Sequence, residues 1–297
     1  MKYKIPYLFI LAILLSACGN RSKEDLSVKP EDVVTEELVI SQEAMDEVIE
    51  NIASPIEVAS LLNALDIPFS MSYLSEPEKM SNYSTSFEMA YNLGALSSDL
   101  GYLNMYNKTG TAINYLTTIN KLTEALEIGQ FFDFPKMKRL ASGENTLDSL
   151  LFISINSFNN MDEYLRKTDR SNLSTLMVAG VWIEGLYLAT QVYKKSQLKE
   201  IRDVIGNQKQ ILGDLLIILN KYKSYDGFDD LIEDYLEIKK YFDEVNITYV
   251  IGEPKTIEVD GMLMVIQDES STIEMSEETL SHIISVTENI RNKHLNI

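Results

Sequence analysis

The sequence predicts a mainly α-helical protein, a multi-helix bundle that ends in a small antiparallel β element and a C-terminal helix. Over most of the chain, apolar residues recur three and four positions apart, which is the period of a helix with one buried face. Capping signals of the type Ser/Thr-x-x-Glu open two of these helices. Runs of β-branched residues, typical of strands, are concentrated after residue 245.

The N-terminus has the organisation of a secretory signal. Two lysines precede an apolar run over residues 7–15, which is too short to cross a bilayer core. The motif Leu-Ser-Ala-Cys at 15–18 then resembles the bacterial lipobox, which implies cleavage before Cys18 and acylation of that cysteine. A chance cysteine after an ordinary signal peptide is the alternative. We expect a signal peptide at 1–17, a lipidated Cys18 and a location in the cell envelope.

Residues 18–30 are polar and lack apolar periodicity, so they are predicted to be a flexible tether. Within the tether, Lys23, Glu24 and Asp25 lie close to the lipidated cysteine. This pattern resembles the surface-export signal of lipoproteins in Bacteroidota, and a solvated linker is the alternative. The expected location is the outer membrane, on its periplasmic or its surface-exposed face. The expected partners are the membrane, through the lipid anchor, and a protein of the envelope.

Composition argues against several classes of function. Cys18 is the only cysteine, so the mature chain can form no internal disulfide. The net charge of −19 becomes −21 when residues 1–17 are removed, and such a chain repels nucleic acid. His282 and His294 are twelve positions apart, unlike metal ligands spaced by three or four residues, and no phosphate loop occurs. No cofactor, metal, nucleic-acid partner or catalytic residue is predicted.

Residues 31–245 are predicted to form the helical domain. A serine cap and Pro55 separate two helices over 33–52 and 55–66, and a capping box at Thr85 opens the next helix. Further apolar stripes predict helices over 113–126, 147–165, 173–188, 198–219 and 228–245. The segment that contains Pro135 and Gly143 is predicted to be a loop.

Two of these helices share a short pattern. Asp99-x-x-Tyr102-Leu103 recurs as Glu184-x-x-Tyr187-Leu188, 85 residues later. A three-helix unit that was duplicated into a six-helix bundle would produce this recurrence. Amphipathic helices also match one another through their period alone, so both origins stay open.

Residues 246–297 are predicted to form a strand-helix tail. Three short strands are expected over 247–251, 262–266 and 271–275, with a turn at 252–254. They would form a small antiparallel sheet. Ser276 then caps a final helix whose apolar face carries Leu280, Ile283, Ile284 and Ile290.

The candidate site is built on Asp99 and Glu184, which lie on the apolar stripes of their helices beside Tyr102 and Tyr187. A buried carboxylate must find hydrogen-bond donors or shift its pKa. These residues could line a central pocket that binds a cation or a polar ligand or performs acid–base chemistry, and Trp182 could stack on a sugar. The alternative, which the sequence favours, is that both acids are structural hydrogen-bond acceptors and Trp182 is part of the core.

Four segments resemble a family of helical lipoproteins from Bacteroidota. They are Ser54-Pro55-Ile56-Glu57, Asn92-Leu93-Gly94, Ser98-Asp99-Leu100-Gly101-Tyr102 and Gly180-x-Trp182-x-Glu184-Gly185-Leu186-Tyr187. The resemblance covers most of the mature chain and departs at Leu96-Ser97, where the family commonly has Tyr-Gly. It implies the envelope location and the helical fold and carries no activity.

We expect a non-catalytic binding or scaffolding module of the envelope. Two alternatives stay open. One is an enzyme or small-ligand binder that uses Asp99 and Glu184 in a central pocket, and the other is an accessory subunit of an outer-membrane complex. The ligand is not specified by any motif in the chain.

Overall fold

The computed structural model describes residues 65, 67–79, 83–141, 147–259 and 262–295. The predicted signal peptide, Cys18, the tether with Lys23, Glu24 and Asp25, and the first two predicted helices lie outside the described residues, apart from residue 65. Within the described part of the chain there are eight α-helices and one two-stranded antiparallel sheet, which confirms the predicted fold class.

The helices are α1 (Ser86–Met105), α2 (Thr109–Ala125), α3 (Phe134–Ala141), α4 (Leu147–Lys167), α5 (Ser171–Ser196), α6 (Lys199–Asn220), α7 (Phe228–Phe242) and α8 (Glu277–Leu295). The strands β1 (Asn246–Val259) and β2 (Met262–Glu274) lie between α7 and α8. Single turns of 3-10 helix occur at Met71–Tyr73 and Gly129–Phe131.

The start of α1 follows the capping chemistry that the sequence predicts. The Glu88 backbone N–H donates to Thr85 Oγ1 at 3.1 Å, and the Thr85 N–H donates to Glu88 Oε2 at 3.2 Å. This reciprocal pair satisfies two of the N–H groups that a helix start leaves without a partner. The helix ends where Asn107 takes a left-handed conformation with φ 53°, and α2 begins two residues later.

The predicted loop around Pro135 was wrong in part, because it contains the short helix α3. Pro135 lies in the first turn, where a missing N–H removes no intrahelical hydrogen bond. The Lys136 N–H donates to Asp133 Oδ1 at 3.1 Å, which supports the helix start. Met137 and Ala141, four residues apart, are buried on one face. The helix is short, so its periodicity was not visible beside a proline.

The closest helix contact joins α1 and α5. A Cβ on Gly94 would lie 1.9 Å from the carbonyl oxygen of Met177, and a Cβ on Gly180 would lie 1.9 Å from that of Tyr91. Both glycines are therefore required by the approach of one backbone to the other. The contact is reciprocal: Tyr91 and Gly94 correspond to Met177 and Gly180 with an offset of 86 residues. Asp99 and Glu184 are 85 residues apart, so the contact and the sequence recurrence differ in register by one residue, and the duplication stays a prediction.

Helix α5 is the central element of the described core. It is long and apolar enough to span a membrane, yet 89% of its most apolar 18-residue window is buried within the protein. It packs against α1, α4, α6 and α8. Its apolar composition is thus accounted for by neighbours on several sides.

The predicted three-stranded sheet was wrong, because the structure has one hairpin of two long strands. β1 pairs with β2 from Asn246 opposite Glu274 to Val259 opposite Met262. The predicted turn at 252–254 is a bulge inside β1, where the register shifts between Ile251 and Pro254. The polar residues that were expected to separate two strands continue β2 instead, because the antiparallel ladder is formed by backbone groups, which polar side chains do not interrupt.

The C-terminal helix begins as predicted. The Thr279 N–H donates to Ser276 Oγ at 2.9 Å. Helix α8 then packs against α5 and α7, so its apolar face belongs to the same core as the other helices.

We expect Gly94→Ala and Gly180→Ala each to lower the free energy of unfolding by about 3 kcal/mol or more, because each methyl group would overlap a backbone carbonyl. Gly213 in α6 is the control, since a Cβ there has open space. Gly213→Ala should raise the free energy of unfolding by about 0.5–1 kcal/mol through helix propensity. Denaturant unfolding measures all three. Equal stabilities of Gly94→Ala and Gly213→Ala would contradict the backbone contact.

Candidate functional site

The structure brings the two predicted acids together in the core. Asp99 and Glu184 both have 0% of their surface exposed. They lie at one level of the α1–α5 contact, where a Cβ on Gly185 would be 3.7 Å from Ser98 Oγ. The close approach of the two helices therefore places two carboxyl groups in one apolar environment, where their charges must be compensated.

Glu184 is compensated by an arginine from the C-terminal helix. Arg291 donates through Nε to Glu184 Oε2 and through Nη2 to Oε1, both at 2.8 Å, and the two side chains are 4% and 0% exposed. This is the fork geometry in which a guanidinium binds a carboxylate most strongly. The guanidinium carbon also lies 4.0 Å from the centre of the Tyr187 ring. Both carboxylate oxygens of Glu184 are therefore engaged.

Arg291 was missed by the sequence analysis, although a signal was present. It follows Thr287 by four residues and Ile284 by seven, so it lies on the apolar stripe of α8. An arginine on such a stripe is rarely buried unless it is paired. What periodicity does not reveal is which acid it pairs with.

Asp99 binds the segment that precedes α1. Its Oδ2 accepts from the Ser75 backbone N–H at 3.1 Å and from the Ser75 hydroxyl. The Ser75 carbonyl in turn accepts from Tyr115 Oη at 2.6 Å. Within the described part of the chain, Asp99 Oδ1 is buried without a hydrogen-bond partner. Asp99 thus holds residues 67–79 against α1 and α2.

The surroundings of Asp99 favour the protonated form of its carboxyl group. Burial, followed by the charge of Glu184, raises its pKa well above the ordinary value, while Ser75 and Arg291 act in the opposite direction. Two carboxylates and one guanidinium would leave a buried net negative charge. One proton on Asp99 makes the Asp99–Glu184–Arg291 cluster neutral, and a neutral cluster avoids the cost of an unpaired buried ion.

Tyr102 lies apart from Glu184. Its hydroxyl oxygen accepts from the Ser70 backbone N–H at 3.1 Å, and its ring centre is 5.5 Å from that of Phe69. Tyr106 packs against it with ring centres 4.9 Å apart. Tyr102 therefore fixes the same segment as Asp99, and it does not face Tyr187 across a common pocket.

Trp182 also lies apart from the two acids. It precedes Glu184 by two residues and so projects from nearly the opposite side of α5. The indole is 3% exposed, donates from Nε1 to Gln208 Oε1 at 3.0 Å, and has its ring centre 5.2 Å from that of Tyr235. This environment supports packing over sugar stacking.

The two histidines have separate partners. His294 Nε2 is 2.6 Å from Asp234 Oδ2, and the His282 ring stacks on Tyr241 at 4.8 Å. Over the described residues, His, Cys, Asp and Glu form no group of three that could hold a metal ion. The arrangement around Asp99 and Glu184 can hold a proton and join three segments of the chain, and Arg291 occupies the place beside Glu184 where a cation would bind.

We expect Arg291→Met to lower the free energy of unfolding by about 3–5 kcal/mol, because Glu184 would remain buried without its counter-charge. Adding Glu184→Gln to this variant should restore much of the loss. Lys199→Met is a matched control in an ion pair with Asp203 whose lysine is 74% exposed, and it should cost less than about 1 kcal/mol. Denaturant unfolding of the single and double variants measures the coupling, and additive effects would argue against the pair.

We expect Asp99→Asn to fold like the wild type and to alter the pH dependence of stability. Where the folded-state pKa of Asp99 is raised, the folded protein binds more protons than the unfolded chain. The contribution of Asp99 to the free energy of unfolding is then at its full value below the ordinary pKa of an aspartate. It is lost as the pH rises through the raised pKa of the folded state. The stability of the wild type relative to Asp99→Asn should therefore fall as the pH rises above the ordinary pKa of an aspartate, about 4. A difference that rises with pH in this range would mean that Asp99 is ionised in the folded state.

Comparison of the chain with protein-family models, with curated proteins and with solved structures found no match. The geometry of the described residues and the N-terminal sequence therefore carry the functional argument.

Proposed function

We propose that the protein is a lipid-anchored, non-catalytic binding or scaffolding module of the bacterial outer membrane. The lipobox-like motif that ends in Cys18 supports the anchor, and Lys23-Glu24-Asp25 supports export to the surface. The resemblance to helical lipoproteins of Bacteroidota supports the same location. The observation that carries the non-catalytic assignment is the closed Asp99–Glu184–Arg291 cluster.

A catalytic acid or base must come within hydrogen-bond reach of its substrate. Asp99 and Glu184 have no exposed surface, and the two oxygens of Glu184 are both bound by Arg291. A substrate would have to displace an arginine from a buried ion pair to reach Glu184, which costs several kcal/mol. The cluster is therefore better suited to joining α1, α5 and α8 than to chemistry at a surface.

The test uses the full-length protein in cells that process lipoproteins. Wild type, Cys18→Ser and Asp99→Asn are compared for incorporation of a fatty-acid analogue, for recovery in the outer-membrane fraction and for chemical crosslinks in intact cells. We expect wild type and Asp99→Asn to be labelled and to give the same crosslinked envelope protein. Cys18→Ser should lose the label, the membrane recovery and the crosslink, because no thiol remains to be acylated.

Equal labelling of Cys18→Ser and wild type would refute the anchor. Absence of a crosslinked protein with the labelled wild type would refute the scaffolding role. Loss of the crosslink in a folded Asp99→Asn variant would show that the acid takes part in function.

A further inference from the structure

A cleft opens between α1, α2, α4 and α5, on the side of α1 away from Asp99. The space within it that is accessible to the centre of a water-sized molecule is about 60 Å³. Its walls include Ser97, Gly101, Asn104, Ser154, Phe158 and Val181. None of the described residues that line it is ionisable. The cleft is thus separate from the buried ionic cluster and has mostly apolar walls with a few polar groups, as small-molecule sites have.

The amide of Asn104 is the polar group that most needs a partner. Its side chain is 0% exposed, and neither Oδ1 nor Nδ2 forms a hydrogen bond with any described residue. The hydroxyl of Ser154, on the facing helix α4, likewise has no partner in this part of the chain. A buried amide left without partners is strongly unfavourable, and such groups are rare in folded proteins. Two of them in the lining of one cleft indicate that a bound molecule completes them.

Gly101, which also lines the cleft, leaves space in which a bound molecule could lie. A glycine in the interior of a helix weakens that helix relative to alanine. Gly94, in the same helix, is required by a backbone contact, but a Cβ on Gly101 would meet no atom within 4 Å. Packing within the described structure therefore does not explain Gly101. Its effect is to leave room at the wall of the cleft beside Asn104.

The polar and apolar groups in the walls of the cleft indicate which chemical class of ligand would bind there. The Asn104 amide presents an acceptor beside a donor, and its complement is a group with a donor beside an acceptor. A charged group buried in the cleft would have no counter-ion among the described lining residues, which favours a neutral ligand. We propose that the cleft binds a small neutral molecule with an apolar body and an amide-type edge that pairs with Asn104. This inference rests on the proposed binding function and names its ligand class.

The experiment uses hexanamide as the probe, with hexanoate as its charged analogue. Binding to the purified full-length protein in lipid nanodiscs is followed by saturation-transfer NMR, with empty nanodiscs as the blank. We expect hexanamide to bind the wild type, and hexanoate at neutral pH to bind at least about tenfold more weakly because its charge would be desolvated.

Two pairs of variants locate the binding. Gly101→Leu should abolish binding by filling the cleft, whereas Gly213→Leu, the same change at an open helical position in α6, should leave it intact. Asn104→Leu should weaken binding at least about tenfold by removing the amide. Asn92→Leu is its control in the same helix, because Asn92 is buried and does not line the cleft. Thermal melting establishes that each variant is folded, and Gly101→Leu, which removes no contact, tests the site if Asn104→Leu unfolds.

The inference is overturned if hexanamide does not bind the wild type, as expected if water alone completes Asn104, or if it binds Gly101→Leu as well as Gly213→Leu. These outcomes leave the proposed function standing when the envelope crosslink of the wild type persists. Conversely, if the crosslink is lost and hexanamide still binds, the scaffolding role is refuted and the cleft remains supported as a ligand site.

Discussion

The structure depends on the backbone contact between α1 and α5. Gly94 and Gly180 each lie against a carbonyl of the other helix, so no side chain separates the two backbones at the crossing. Helices that approach so closely must place their neighbouring residues in the same small volume. Asp99 and Glu184, which follow the two glycines on their helices, are consequently buried beside each other. The need to compensate these two carboxyl groups then determines how more distant parts of the chain attach.

The groups that compensate the two buried carboxyls come from both ends of the described chain. Arg291 of α8 forms two hydrogen bonds with Glu184 in bidentate geometry. Ser75, in the segment before α1, donates to Asp99. The raised pKa of Asp99 favours a proton on this carboxyl group, and that proton would remove the remaining charge. A cluster of this kind contributes little net stability compared with apolar packing, but it strongly disfavours arrangements in which one member is missing. It therefore specifies how α8 and residues 67–79 are placed, more than it raises stability.

The two sides of α1 have different roles. One side carries Asp99 and Tyr102, whose partners are internal and complete the attachment of neighbouring segments. The other side carries Gly101 and Asn104, which leave space and unpaired polar atoms at an open cleft. The Asp99 and Tyr102 contacts on the closed side are explained by folding, whereas the unpaired amide of Asn104 on the open side is the group that we propose a bound molecule completes.

The sequence by itself determined every described helix except α3, two helix caps and the burial of the two acids, because these follow from local spacing. The Thr85 capping box, the stripe that holds Asp99 and the Ser276 cap were all visible as patterns. The number of strands predicted from the sequence was too high, because the same residue types occur in bulges and in turns. The residues around Pro254, which were predicted to be a turn, form a bulge. Only the tertiary structure decided that Arg291 pairs with Glu184, that Tyr102 and Trp182 lie apart from the acids, and that Asn104 faces a cleft. Each of these depends on which helices become neighbours, and helical periodicity specifies the buried face of a helix without naming the residue packed against it.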